Sequence, residues 1–334
     1  MKLLFVFTGG TIGSTQKGDI ISPDSAKSYK IISAYEKRYG IDFEYRVTEP
    51  YNGLSENNTG EHIRMLAQCL SRAVKGGYDG IIVTHGTDTL QYSAAAIGYA
   101  MGLDTVPVCF VSANAPIENG ESNGLDNLRG AVDFISQKGG RGVFAVYRNS
   151  TEKTVYIHRA TRLLESVAFS DRVASAGNIP YGHMDDGRFI KCPHFCELSD
   201  EIAPLSCDRL GEVNESTVVI SARPGMRYPE ISHGVKYVIV NSYHSGTLDT
   251  SSEAARRFYL DARNKGVLVF ATGAYGGPMY SSVACFEELG IIAIKGISPV
   301  AVYVKLWLAD SMGNDPALLM ERSLSGDLMW DGRI

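Results

Sequence analysis

The sequence predicts an α/β protein: a larger doubly wound N-terminal domain on a mostly parallel sheet, followed by a smaller α/β C-terminal domain. Three observations predict it. Short apolar runs of strand length alternate with stretches of helical period through residues 1–182. The runs are apolar at nearly every position, as strands covered on both faces must be. Two of them, residues 3–7 and 81–83, lead into Thr8-Gly9-Gly10-Thr11-Ile12-Gly13-Ser14 and His85-Gly86-Thr87-Asp88-Thr89. Glycine beside threonine lets a chain leaving a sheet turn sharply and expose its N–H groups, and open α/β sheets bind ligands at the carboxyl ends of their strands. Both segments are therefore expected to face one crevice.

Taken in order, residues 3–7 read as the first strand. Residues 61–75 carry Ile63, Leu66, Cys69, Leu70 and Ala73 on one helical face, and Gly76-Gly77 stops the helix. Residues 80–84 form a strand, the small apolar residues 91–101 a closely packed helix, 106–111 a strand, 124–137 a helix and 142–147 a strand. From about 181 to 216 the periodicity fails among Gly, Pro, Asp185-Asp186 and three cysteines, which reads as an interdomain connection. Strands at 218–220 and 235–240, a helix at 252–265, a strand at 266–271 and helices at 280–290 and 299–310 compose the second unit. The expected division is 1–182, a linker over 183–214, and 215–334.

The 334 residues are 44% hydrophobic and 21% charged, enough for a sizeable core. Net charge is −5 with no basic run, which argues against a nucleic-acid partner. No apolar stretch reaches the length that spans a membrane, and the apolar start is too short for a signal peptide, so a cytoplasmic protein is expected. Cys69 and Cys109 fall at core positions. Cys192, Cys196 and Cys207 are irregularly spaced and read as plain thiols in a connecting segment, so no metal site is expected.

Two threonines at strand ends, one followed by a carboxylate, suggest acyl transfer by a hydroxyl nucleophile. Such a hydroxyl needs a base to take its proton, and the tetrahedral oxyanion needs fixed donors. The glycine-rich turn lacks both the Lys-Ser/Thr of a phosphate loop and dinucleotide spacing. Asp88 suits a ligand role but also suits a helix cap. Thr59 is expected to cap the helix that follows, leaving Ser55 for a ligand. His85 reads as a hydrogen-bonded buried histidine rather than a base.

At these residues the chain resembles the bacterial-type L-asparaginase family, closest to its cytoplasmic type I branch. The signatures are Thr8-Gly9-Gly10-Thr11-Ile12 and His85-Gly86-Thr87-Asp88-Thr89; residues 50–59, Ser112-Ala113-Asn114-Ala115-Pro116, Ser242-Tyr243 and Tyr303-Val304-Lys305-Leu306 extend the likeness. The resemblance implies hydrolysis of the side-chain amide of asparagine, sometimes glutamine, to the acid and ammonia, with no metal or organic cofactor. One relative is the amidotransferase subunit that releases ammonia for glutamyl-tRNA repair. Carried over, Thr11 is the nucleophile. Thr87 supplies a second hydroxyl and an oxyanion N–H, Gly86 contributes to substrate binding, and Asp88 grips the substrate amino group. Gly10, Ser55, Glu56 and Ala113 complete the substrate pocket. A homodimer or homotetramer acting on a small amide is implied.

Departures accompany the resemblance. The family places a lysine about 13 residues before an asparagine, and counting back from Asn178 gives Glu165. Arg162 and Lys153 miss that spacing. A carboxylate there, close to Thr87-Asp88 and off the open surface, would raise one carboxyl pKa and disfavour a substrate carrying a free carboxylate. The lid tyrosine falls near Asp19, with Tyr29 further along, and a partner-donated asparagine becomes Thr247. Two other functions follow: an amidase with a different amide substrate, and a non-catalytic small-molecule binding protein.

Overall fold

The computed structural model describes residues 1–10, 14–17, 20–23, 30–198, 200, 203–274 and 280–329. Strand β1 (Lys2–Phe7) is apolar on both faces because both are covered: Leu3, Phe5 and Phe7 pack with one core cluster, Leu4 and Val6 with another. A two-stranded ribbon follows, β2 (Ser14–Lys17) with antiparallel β3 (Ile20–Pro23). Helix α1 (Lys30–Tyr39) buries Ile31, Ile32 and Tyr35 and leads to β4 (Glu44–Thr48), parallel to β1. Helix α2 (Gly60–Ala73) begins behind Thr59, whose N–H donates to His62 Nδ1 at 3.1 Å. The expected cap is thus in place.

Strand β5 (Gly80–Thr84) is buried throughout and pairs parallel with the other side of β1. Helix α3 (Leu90–Met101), β6 (Val108–Val111), α4 (Gly124–Ser136) and β7 (Val143–Tyr147) continue the winding. Strand β8 (Tyr156–Arg159) turns back antiparallel to β7, and the hairpin β9 (Gly182–Asp185) and β10 (Arg188–Lys191) ends the sheet. The spatial order is β10-β9-β8-β7-β6-β5-β1-β4. Helices α1 and α4 cover one face, α2 and α3 the other. The order reverses at β1, which has β4 on one side and β5 on the other; this is the switch point where open sheets bind ligands.

The second sheet is all parallel: β11 (Thr217–Ser221), β12 (Tyr237–Asn241), β13 (Leu268–Ala274) and β14 (Ile291–Lys295), in that order. Helix α5 (Glu253–Asn264) is capped by Ser252, whose side chain accepts the Ala255 N–H. The helix expected over 280–290 is broken into α6 (Ser281–Ala284) and α7 (Phe286–Leu289). Helix α8 (Pro299–Met312), with Ser298 as cap and proline in its first turn, packs on α3 and joins the two sheets through one core. Helix α9 (Pro316–Met320) follows, capped by Asp315.

The α/β class with a mostly parallel sheet is therefore present. Several elements were not anticipated, among them β2, β3, β8, β14 and α9, and two departures bear on the sheet. Helix α1 and strand β4 occupy a segment in which no element was expected. The supposedly irregular stretch after 181 opens with β9 and β10, which hydrogen-bond to the large sheet: Tyr181, Met184 and Phe189 pack into its core while residues 185–188, 190 and 191 face solvent, a pattern too short to register as a period.

The carboxyl-terminal stretch is tied down by buried charge. Lys305 Nζ lies 2.9 Å from Asp327 Oδ2 with both side chains fully buried, and Tyr99 donates its hydroxyl to the same oxygen at 2.8 Å. Arg162, 1% exposed, donates to the carbonyls of Gly326, Leu328 and Cys196. Arg159 pairs with Glu197.

Candidate active site

The carboxyl ends of β1 and β5 meet because glycines let their backbones touch. Gly9 and Gly10 hold φ of 96° and 79°, in the left-handed region open to glycine. A Cβ on Gly10 would lie 2.3 Å from Gly86 N, and one on Gly9 2.2 Å from Gly53 O. Gly10 N–H donates to Gly53 O at 3.0 Å and Gly53 N–H to Thr8 O at 3.2 Å, which draws the loop before α2 alongside. The buried Thr8 hydroxyl donates to Thr84 O at 2.7 Å, crossing from β1 to β5. Three loops thus converge at the switch point.

Ser55 stands where they converge. It is 3% exposed, and its hydroxyl is 3.5 Å from Asp88 Oδ2. The Thr89 hydroxyl donates to Ser55 O at 2.8 Å, and Gln91 Nε2 to Asp88 O at 3.0 Å, holding the start of α3 against Ser55. Thr87 is half-buried and Asp88 is exposed, open to a ligand. Glu56 lies in the same 3-10 turn, Ser55–Asn57, and points outward as an exposed residue. Ala113 is 1% exposed at the end of β6; the Ser112 hydroxyl beside it donates to His85 O at 2.6 Å.

His85 is fully buried. One ring nitrogen is 2.8 Å from Gly86 O and the other 3.1 Å from Asn58 Nδ2. Burial pushes its pKa down to about 4, so it is neutral near pH 7 and spans the loops as a hydrogen-bonded strut. Asn58, its partner, was missed in the sequence; no local pattern distinguishes it from its neighbour Asn57.

Of the expected residues, the structure brings together Gly10, Ser55, Gly86, Thr87, Asp88 and Ala113. Thr11, Asp19 and Tyr29 lie outside the described residues. Thr247 is half-buried, its hydroxyl 3.0 Å from that of Ser245.

Glu165 departs from expectation. It is exposed, and its described partner is the Tyr92 hydroxyl, which donates to Oε1 at 3.1 Å. Among the described residues no hydrogen bond or ion pair joins it to Thr87 or Asp88. The local backbone explains this: Leu163 bridges to Ser175 and Leu164 N–H donates to Ala174 O, so the chain is pinned up to 164 and residues 165–170 project as an exposed loop. Tyr92 was also missed. It stands in the first turn of α3, three residues after the N-cap Thr89, and its place just behind the Thr87-Asp88 segment is the signal that could have found it. Burial first, and the adjacent Glu165 carboxylate second, push its phenol pKa well up, so it stays a donor.

Among the described residues, no cluster of His, Cys, Asp or Glu could hold a metal ion, and no helix is long and apolar enough to cross a membrane. Cys109 and Cys207 are buried thiols.

Residues 2–185 match the family model described as asparaginase, N-terminal. A glutamyl-tRNA(Gln) amidotransferase subunit from Haloquadratum walsbyi is 28% identical over 97% of this chain and 74% of its own. L-asparaginase of Thermococcus kodakarensis is 25% identical over 98% of this chain and 99% of its own. Among solved structures, the thermostable L-asparaginase from Thermococcus kodakarensis superposes with a TM-score of 0.78 at 21% identity, covering 99% of this chain and 100% of that one. The probable cytoplasmic L-asparaginase from Campylobacter jejuni superposes with a TM-score of 0.72 at 21% identity, covering 96% and 98%. Such likenesses carry the fold, and they do not single out the type I branch.

Proposed function

The chain belongs to the asparaginase family, and from that premise we propose that it hydrolyses the side-chain amide of L-asparagine to aspartate and ammonia through a threonine nucleophile. The observation that carries the reading is the contact of Gly10 with Gly86 and of Gly86 with Ser55. It sets the residue preceding Thr11, the Thr87-Asp88 pair and Ser55 around one point at the sheet's switch point. Polar side chains from three loops have no structural need to meet there.

In this reading the Thr11 hydroxyl attacks the amide carbonyl as a base takes its proton, and the developing oxyanion is met by the N–H of Thr87. Ammonia leaves with a proton, and water then cleaves the threonyl ester, restoring the hydroxyl. Asp88 binds the substrate ammonium, while Ser55 and Glu56 hold the rest of the amino-acid head group. His85 is not the base: it is neutral, buried and engaged at both nitrogens. The Thr87 hydroxyl is the nearer candidate for a proton relay. Glu165, at the position counted as the family's lysine, acts on the site through Tyr92 and the start of α3. The assembly is a homodimer or homotetramer.

A second reading rests on the names of the relatives. Several of them are amidotransferase subunits, matched along most of this chain; in that role the ammonia would pass to a companion protein.

Ammonia release is measured with asparagine, glutamine and amide dipeptides. Turnover of free asparagine, lowered about 1000-fold or more by Thr11→Val, is the expected result. Near-normal rates in that variant overturn the nucleophile. Turnover that appears only with a companion protein favours the second reading. Ligand-induced thermal stabilisation without turnover of any amide favours a binding protein.

A further inference from the structure

Between the two sheets lies a cavity of about 540 Å³, a size typical of small-molecule sites. Its walls come from the starts of α2, α3 and α8 and from the carboxyl ends of β11 and β12. It adjoins the loops of the candidate active site, sharing their far side at Thr89, but none of Gly10, Ser55, Thr87 or Asp88 lines it.

Its chemistry differs from that of the amide site. Three aromatic rings stand together: Tyr92 and Tyr303 meet edge to face at 5.7 Å, and Trp307 lies 6.0 Å from Tyr303. Two carboxylates, Glu165 and Glu212, share the wall. The described lining contains no lysine, arginine or histidine, and neither carboxylate has an ion-pair partner among the described residues. Tyr92 orients Glu165 through the 3.1 Å hydrogen bond, and its own proton is firmly held.

We infer that this cavity binds an organic cation: a primary or quaternary ammonium carried on an apolar body. Aromatic faces attract a cation through their quadrupoles, and the attraction grows as water is displaced. Glu165 and Glu212 supply the countercharge. Tyr303, Trp307 and Val300 offer apolar area for the body. An anionic ligand would meet two unneutralised carboxylates, and a neutral one would gain only the apolar contact.

Isothermal titration calorimetry on the full chain tests this with three probes of one shape: phenethylamine, 2-phenylethanol and 3-phenylpropanoate. The amine is expected to bind and the alcohol and acid not. Glu165→Gln and Glu212→Gln are each expected to weaken the amine about fivefold or more. Both residues are exposed, so the variants should fold, as thermal melts will verify. Ser55→Ala, in the neighbouring site, should leave amine binding unchanged. Equal binding of the alcohol or acid, undiminished amine binding in both glutamine variants, loss of binding in Ser55→Ala, or no heat from any probe each overturns the inference. None of these readouts depends on amide turnover.

Discussion

Gly86→Ala tests the contact on which the candidate active site is built. Gly86 is not in the left-handed region, so alanine brings no backbone strain there. What it brings is a methyl group: its Cβ would lie 2.4 Å from Ser55 Oγ, 2.7 Å from Ser55 Cβ and 3.4 Å from Gly10 Cα. Ordinary contact requires Ser55 to retreat by about 1 Å, and Ser55 is 3% exposed with its carbonyl held by Thr89. Overfilling a packed site in this way costs about 1–3 kcal/mol of stability. Moving the Ser55 hydroxyl by that distance relative to Asp88 should lower turnover by about 100-fold. Urea denaturation and ammonia release measure the two effects. The double variant Gly86→Ala/Ser55→Gly removes both colliding atoms. Its stability should exceed the sum of the single effects by about 1 kcal/mol or more, while activity stays low because the hydroxyl is gone. If Gly86→Ala is neutral, or the two changes are additive, the three-loop contact does not organise the site.

Burial pushes both His85 and His158 down to about 4. Above about pH 6.5 neither folded nor unfolded chain protonates them, and their contribution is constant. As pH falls from 6.5 towards 4, only the unfolded chain takes the protons, so stability should drop by about 1.4 kcal/mol per pH unit for each histidine. Urea midpoints that stay flat across that window in the wild type would refute it. Lys305→Met leaves the buried Asp327 carboxylate without its cation and should cost about 3–5 kcal/mol in urea unfolding; a loss below about 1 kcal/mol would show that the pair is not a stabilising anchor for the terminal segment. Phe169 stands fully exposed in the 165–170 loop beside Val167, 67% exposed, as expected of a surface covered in an oligomer. Phe169→Ser should weaken self-association in light scattering at micromolar concentration, and a wild-type monomer with full activity would contradict the oligomer.

Much of the fold was legible because its signals are local. The apolar runs that became β1, β5, β6 and β7 are written residue by residue, and so are the glycines that let Thr8-Gly9-Gly10 and His85-Gly86 turn. Part of the candidate site could be nominated for the same reason: Gly10, Gly86, Thr87 and Asp88 sit in two contiguous segments at strand ends, where an open sheet exposes them. Strand β4 was not legible, since its exposed Glu44 and Tyr45 on an edge strand blur the apolar pattern. Nor was the hairpin β9–β10, whose few inward residues pack on α4 and β7 from far along the chain.

The placement of Glu165 marks the boundary between the two kinds of information. Counting from Asn178 assigns it a position along the chain, but a count carries no direction in space. The bridge from Leu163 to Ser175 turns the following loop outward, and Tyr92, from a different element, receives the carboxylate. In the same way, sequence alone located Thr87 and Asp88 on one loop and Ser55 on another. Only the close approach of Gly10 to Gly53 and Gly86, and of Gly86 to Ser55, which no single segment encodes, brought these loops together. Local periodicity is set by neighbours a few residues apart; side-chain environment is set by whichever distant elements the packed core brings alongside.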